Sequence, residues 1–359
     1  MIWKGQDRRT VFVLGAGATR GALGHVMVNR KRLKPPLNGD FFRVAKTFVN
    51  AHAESSGLRG RYTRLLAALK DEFKLKGDPQ MEEAFSLLYV SKDFPGVFGS
   101  GRGRRPKPGT RREISDFLTI TFGMLAALDG TKARVALYDQ LAESLGPRDA
   151  IITLNYDTTL DSALVRAGWN PRAGYGLLGG ENKVKWHVPS ASLSPHMSGV
   201  RLLKLHGSVN WFVRGSYGRL SRVFDNKPAI VTKPRRNERA GHIRQIVPPI
   251  FGKFFGHKHW GTLWLQAFTA LCEADVLVVV GCSLIHTDFH LRALVQRAAT
   301  VRKKNGSQFR CGIFVDRVTV RRRWRKALTG AVNHVEAFAD FASFSERHLR
   351  GRSNGQATA

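Results

Sequence analysis

Residues 11–20 read Val11-Phe12-Val13-Leu14-Gly15-Ala16-Gly17-Ala18-Thr19-Arg20. Four apolar residues predict a buried strand, and the glycines behind them predict a tight turn into a helix. A strand feeding such a turn offers backbone N–H groups to an anion, and the helix start adds its dipole. Without side chains on Gly15 and Gly17, a pyrophosphate could approach the backbone closely. The stretch Gly15-Ala16-Gly17-Ala18-Thr19 is therefore the expected phosphate cradle of a dinucleotide site. Its spacing to Gly21 is G-x-G-x-x-x-G, which departs from the strict dinucleotide fingerprint. The alternative is an ordinary strand-to-helix turn with no ligand.

Outward from this stretch, further apolar runs recur at Ala150–Leu154, Arg201–Leu205, Val276–Val280 and Cys311–Val315. Helical periodicity lies between them, strongest at Trp260, Leu263, Trp264, Ala267, Phe268 and Leu271. Alternating buried strands and helices imply an α/β, Rossmann-like parallel sheet with helices on both faces. Between the first strand and the next lies a large helical insertion, about residues 36–147. Within it, residues 31–39 lead in as a loop, Asp40 is a candidate helix cap, and amphipathic stretches follow at 62–75, from Asp78, at 113–128 and at 132–145. Residues 168–257 read as a small irregular subdomain with a possible strand near Ala229–Val231, and 353–359 as a disordered tail. The whole chain is expected to form a single domain.

Ligands in such sheets bind outside the carboxyl ends of the strands. The unusual polar residues all fall at those ends: Gly15–Thr19, Asn155 and Asp157, His206, Gly281–Ser283 and Asp316. An ordinary hydride-transfer enzyme would carry a second strand ending in Asp or Glu about 20 residues after the glycine turn. Residues 22–40 contain none.

The chain has 359 residues, 43% hydrophobic and 24% charged, so it is globular rather than disordered. No apolar run approaches the roughly 20 residues that cross a bilayer, and the start lacks a signal-peptide core, so a cytoplasmic protein without membrane contact is expected. Three cysteines form neither a disulfide framework nor a C-x-x-C pair, and Cys282 and Cys311 sit in strand-like contexts as inert thiols. The net charge is +31, from 58 Lys and Arg against 27 Asp and Glu. Such a field attracts polyanions. Two basic clusters, residues 101–112 and 321–326, are candidate nucleic-acid contacts, direct or through a partner. The first reads as a mobile Gly/Pro-rich loop.

Four motifs, Gly15-Ala16-Gly17-Ala18-Thr19, Thr153-Leu154-Asn155-Tyr156-Asp157, Leu205-His206-Gly207-Ser208 and Gly281-Cys282-Ser283-Leu284, stand in the order of the sirtuin motifs. Over residues 10–320 the chain resembles the sirtuin-like NAD hydrolases of bacterial antiviral defence. The resemblance implies cleavage of the nicotinamide–ribose bond of NAD+, depleting the cell's NAD on infection. Members of that group work alone or with a partner such as a DNA-translocating ATPase or an Argonaute-like protein; because an uncontrolled NAD hydrolase would be toxic, control by assembly, as a homo-oligomer, is expected. The resemblance assigns Asn155 and His206 to catalysis and Asp157 to the nicotinamide carboxamide. Gly281 and Ser283 would touch phosphate, and Asp316 the adenosine ribose.

The residue types suit that chemistry. An asparagine amide both donates and accepts, so it can serve a ribose hydroxyl and a water. A histidine titrates near neutrality and can take a proton from either. Asp157 also suits a helix cap. Protein-deacylating sirtuins carry a four-cysteine zinc ribbon, but no cysteine precedes Cys272, so no zinc is expected and water is the favoured nucleophile. His286-x-x-x-His290 with Asp288 reads as a helix start rather than a metal site. The alternatives are an NAD-dependent protein deacylase and a non-catalytic subunit that binds NAD or nucleic acid.

Overall fold

Thr10–Leu14 forms a strand because β-branched and aromatic residues suit a pleated surface, and all five of its residues are buried. The computed structural model describes residues 8–52, 56–75, 77–93, 108–129, 135–177, 193–214, 242–247, 258–285 and 287–349. The strands in chain order are β1 (Thr10–Leu14), β2 (Val26–Val28), β3 (Lys31–Leu33), β4 (Ala150–Thr153), β5 (Arg201–Lys204), β6 (Gly207–Arg214), β7 (His242–Ile246), β8 (Val276–Val280), β9 (Phe309–Val315) and β10 (Val332–Phe338). Six of them make one sheet in the order β10-β9-β8-β1-β4-β5, with every pairing parallel.

This is the strand order of a dinucleotide-binding Rossmann sheet, read from its far edge. The chain builds β1, β4 and β5 outward in one direction. It then returns to the other side of β1 for β8, β9 and β10. The reversal puts the topological switch between β1 and β8, where such sheets open a crevice for ligand. The central strands are apolar along their whole length because both faces are covered: Val13, Leu14, Ile151, Ile152, Leu202, Leu277 and Val278 are fully buried.

The chain divides into two compact units. The first comprises residues 1–22, 133–246 and 255–359 and holds the whole six-stranded sheet. Its helices are α1 (Ala16–Leu23, whose last residue falls past the boundary), α6 (Ala136–Ser144), α7 (Thr159–Arg166), α8 (Pro171–Gly174), α9 (Lys258–Glu273), α10 (Phe289–Lys304), α11 (Val318–Leu328) and α12 (Phe341–His348). Helices α6, α7 and α12 pack together, and α9, α10 and α11 pack together. Right-handed crossovers running opposite ways from β1 place these two groups on opposite faces of the sheet.

The second unit comprises residues 23–132 and 247–254. Among the described residues it contains the β2–β3 hairpin and the helices α2 (Phe41–Ala51), α3 (Ser56–Phe73), α4 (Met81–Asp93) and α5 (Pro108–Asp129). Its core is aromatic. Phe117 stacks on Phe41 with centroids 4.9 Å apart and meets Phe85 at 4.4 Å. Asp116 beside them is fully buried, and its carboxylate is matched by Arg61 at 2.6 Å and Arg64 at 3.0 Å. Helices α3 and α5 are thus tied by one acid held between two guanidinium groups.

Several sequence expectations need revision. Lys31–Leu33 is a strand rather than loop, paired antiparallel with Val26–Val28. Residues 22–40 still add no strand to the main sheet. Pro108–Arg112, expected as the end of a mobile loop, begins α5, since proline suits the first helical position. The region 168–257 includes the antiparallel β6–β7 pair. The possible strand at 229–231, residues 101–107, His286 and the tail from 353 lie outside the described residues. Among the described residues, no helix is long and apolar enough to cross a membrane.

Candidate nucleotide-binding site

The turn after β1 and the loop after β8 meet at the switch point, backbone against backbone. The Gly15 amide donates to the Val280 carbonyl at 3.1 Å, and the Gly17 amide to the Gly281 carbonyl at 3.0 Å. A Cβ on Gly15 would lie 2.5 Å from the Gly281 oxygen, and one on Gly17 2.8 Å from the Gly281 Cα. Gly281 has φ +56°, and a Cβ there would sit 2.2 Å from the Ala18 nitrogen. The glycines are thus required by the approach of two protein loops. The expectation that Gly15 and Gly17 hold bare amides toward an anion is corrected: both amides are spent on the β8 side. Ala18 donates back to the Gly15 carbonyl at 2.9 Å. Ala16 opens α1, and its amide has no acceptor among the described residues.

One helical turn on, Thr19 is buried and its hydroxyl is saturated. It donates to Asp157 Oδ2 at 3.1 Å, accepts from Asn155 Nδ2 at 3.1 Å and meets the Tyr138 hydroxyl at 2.8 Å. Burial, with Asp157 close by, pushes the Tyr138 hydroxyl well above its ordinary pKa, so it stays protonated.

Asn155 stands two residues past the end of β4. Its Nδ2 donates to the Gly15 carbonyl at 3.0 Å as well as to Thr19, which uses both amide hydrogens. Those acceptors fix the amide's orientation. What remains is its carbonyl oxygen, a pure acceptor. The expected donor-and-acceptor role is therefore narrowed: Asn155 can receive a hydroxyl or water proton, while its donors hold the glycine turn.

The Asp157 carboxylate is turned into the loop. Oδ1 accepts from the Thr159 amide at 3.1 Å at the start of α7, while Oδ2 takes the Thr19 hydroxyl. It satisfies the first amide of α7 from one residue before the cap position, which Thr158 holds in place of the Asp157 expected from sequence. Its backbone carbonyl accepts from Lys204 Nζ at 2.5 Å.

Lys204 is the last residue of β5, directly after Leu202 and Leu203, and nothing in its sequence neighbourhood names a partner. Its side chain is 1% exposed, and its ammonium pairs with Asp161 Oδ2 at 3.0 Å. Asp161 Oδ1 accepts from the Tyr175 hydroxyl, which in turn accepts from Asn210 Nδ2 at 3.3 Å. Desolvation and the Asp161 charge raise Tyr175 well above its usual pKa. A lysine in a four-residue buried strand, two positions before a histidine, was the available signal. Burial there demands a partner.

His206 follows β5, and the register Thr153↔Lys204 carried two residues on brings it level with Asn155 on the neighbouring strand. It is buried, with its ring 6.3 Å from that of Tyr156. The chain then reverses at Gly207, φ +81°, and the Val209 amide donates to the Tyr156 carbonyl at 2.9 Å. The loops after β4 and β5 are thereby stitched together.

The structure thus joins Gly15, Thr19, Asn155 and Asp157 in one hydrogen-bonded network and sets His206 on the adjoining strand end. Ser283 and Asp316 lie beyond β8 and β9. The Ser283 carbonyl accepts from Arg323 at 3.3 Å, and Asp316 Oδ1 accepts from the next amide, Arg317, at 2.7 Å. Neither joins the Asn155 network through any contact described. Next to Ser283, burial pushes the Cys282 thiol up to about 12, which makes it inert. Comparison of the chain with protein-family models finds no match, and comparison with curated proteins finds none.

Proposed function

We propose that this protein is a sirtuin-like NAD+ glycohydrolase that releases nicotinamide and ADP-ribose. One observation carries the reading: on a sheet of dinucleotide-binding order, an amide carbonyl and an imidazole occupy adjacent strand ends beside a glycine turn. The dinucleotide would lie across the switch between β1 and β8, with its pyrophosphate at the start of α1, where the Ala16 amide and the helix dipole remain. Residues of the Gly281–Ser283 loop and Asp316 would serve the far half of the ligand.

When the C–N bond to nicotinamide breaks, its electron pair leaves with the base and the ribose carbon becomes oxocarbenium-like. Water adds to that carbon. The Asn155 carbonyl accepts a hydrogen bond from the water or a ribose hydroxyl, and His206 takes the proton released. Positioning is the main contribution, because the leaving group is already cationic. A homo-oligomer, a partner such as a DNA-translocating ATPase or an Argonaute-like protein, and a role in antiphage defence belong to the same proposal.

A second reading is favoured by α11. Arg322, Arg323, Arg325 and Lys326 are exposed on it, with Arg321 half-buried, and together they form a basic face suited to nucleic acid. On that reading the chain is a catalytically silent binding subunit. The test is nicotinamide release from NAD+ by the purified chain, with and without duplex DNA. Asn155→Ala and His206→Ala are each expected to lose about 10²–10⁴-fold in rate. Unchanged variants would remove the site assignment. No release under either condition, with steeply salt-dependent DNA binding, would leave the second reading standing.

A further inference from the structure

The outer edge of the sheet carries a cluster that plays no part in the site above. Cys311 on β9 pairs in register with His334 on β10, and Glu336 lies two residues further along β10. In-register neighbours on parallel strands share a face, as do residues two apart, so all three side chains project to one side. Their donor atoms all lie within 4.8 Å of one another. Among the described residues no other trio of His, Cys, Asp or Glu comes this close.

The cluster is also supported from behind. The inner oxygen of Glu336 is held by His348 Nε2 at 2.9 Å, a buried side chain at the end of α12. The other oxygen faces His334 Nε2 at 3.8 Å. A carboxylate held on one oxygen and open on the other is how an outer partner orients a metal ligand. The His334 ring is 63% exposed, so an ion can enter from solvent, while Cys311 forms the buried floor.

We propose that Cys311, His334 and Glu336 bind a divalent cation of the zinc class, with water in the fourth position. One sulfur, one imidazole and one carboxylate suit that ion's borderline softness, and separations under 4.8 Å close to tetrahedral contacts by small side-chain rotations. Binding transfers the thiol proton to solvent, so a thiolate and a carboxylate together balance the ion's two charges. The ion staples the edge strand β10 to β9. It shares no residue with the nucleotide site, whose switch point lies between β8 and β1.

The test uses untagged full-length protein and Co²⁺ as the probe. One equivalent is expected to give a thiolate-to-cobalt charge-transfer band with visible bands of tetrahedral intensity, both abolished by Zn²⁺. His334→Ala, at an exposed position, is expected to weaken Co²⁺ binding at least about tenfold. Cys311→Ser should remove the charge-transfer band, and Cys272→Ser should keep it. Absence of the band in the wild type, its survival in Cys311→Ser, or unchanged affinity in His334→Ala would each overturn the proposal.

Discussion

Replacing Lys204 by methionine isolates the interaction that braces the candidate site. Methionine keeps most of the stem volume and removes the ammonium. Asp161 is then left with a side chain only 9% exposed and no counter-charge. The Asp157 carbonyl, at 2.5 Å from Nζ, loses its donor as well. Deleting one member of a buried pair costs about 3–5 kcal/mol. That equals between two and four decades in the unfolding constant, set against a total stability of about 5–15 kcal/mol. Urea unfolding followed by tryptophan fluorescence measures it cleanly. All seven tryptophans fall in the sequence ranges of the first unit, so the signal reports that unit alone. The double variant Lys204→Met/Asp161→Leu should regain much of the loss, because no orphan charge remains. A single-variant cost below about 1 kcal/mol, or a double-variant cost equal to the sum of both singles, would refute the reasoning.

The loop contact at the switch gives a second expectation. Gly281→Ala combines a positive φ with a Cβ only 2.2 Å from the Ala18 nitrogen and should cost about 2–5 kcal/mol in the same assay. Gly330→Ala, at φ +75° with nothing within 4 Å, should cost only about 1–2 kcal/mol. Alkaline stability follows from the buried Cys282 thiol, which is raised from 9.0 to about 12. The unfolded chain therefore releases this proton first, and the thiol's contribution is intact below pH 9 and lost as pH climbs toward the folded value. It steepens the decline by about 1.4 kcal/mol per pH unit, and Cys282→Ala should remove that increment from chemical-denaturation curves taken above pH 9. Asn155→Asp keeps an acceptor but faces the Gly15 carbonyl with a carboxylate oxygen. It should lose both stability and nicotinamide release, unlike a variant that merely lacked catalytic contact.

The central strands were legible because a sheet buried on both faces needs unbroken apolar runs, as in Val276–Val280. The strand ends were legible for the same reason: polar and glycine residues stand out where such runs stop. Other elements lacked that contrast. β10 has only exposed and half-buried residues along a sheet edge, and α11 carries four arginines and a lysine in eleven residues, so neither announces a core element. What each site residue touches was hidden more deeply. Periodicity places Asn155 at a strand end but does not show that its two amide hydrogens are consumed by Gly15 and Thr19. The glycines at 15 and 17 look alike whether a phosphate or Gly281 comes near. Lys204 finds Asp161 across 43 residues. Cys311 and His334 are brought together only by a parallel register, which no local pattern encodes.

The placement of β1 shapes how this chain comes into being. It is the second pairing partner of β4 and β8 alike, yet Thr10 meets Val276, made 266 residues later. At about 5–20 residues per second of synthesis, this greasy segment waits roughly 13–53 s for its final neighbour. The intervening helices of residues 23–132 emerge in that interval and are free to consolidate first. A nascent chain whose helices have formed while β1 still lacks its β8 neighbour is thus built into the order of the elements.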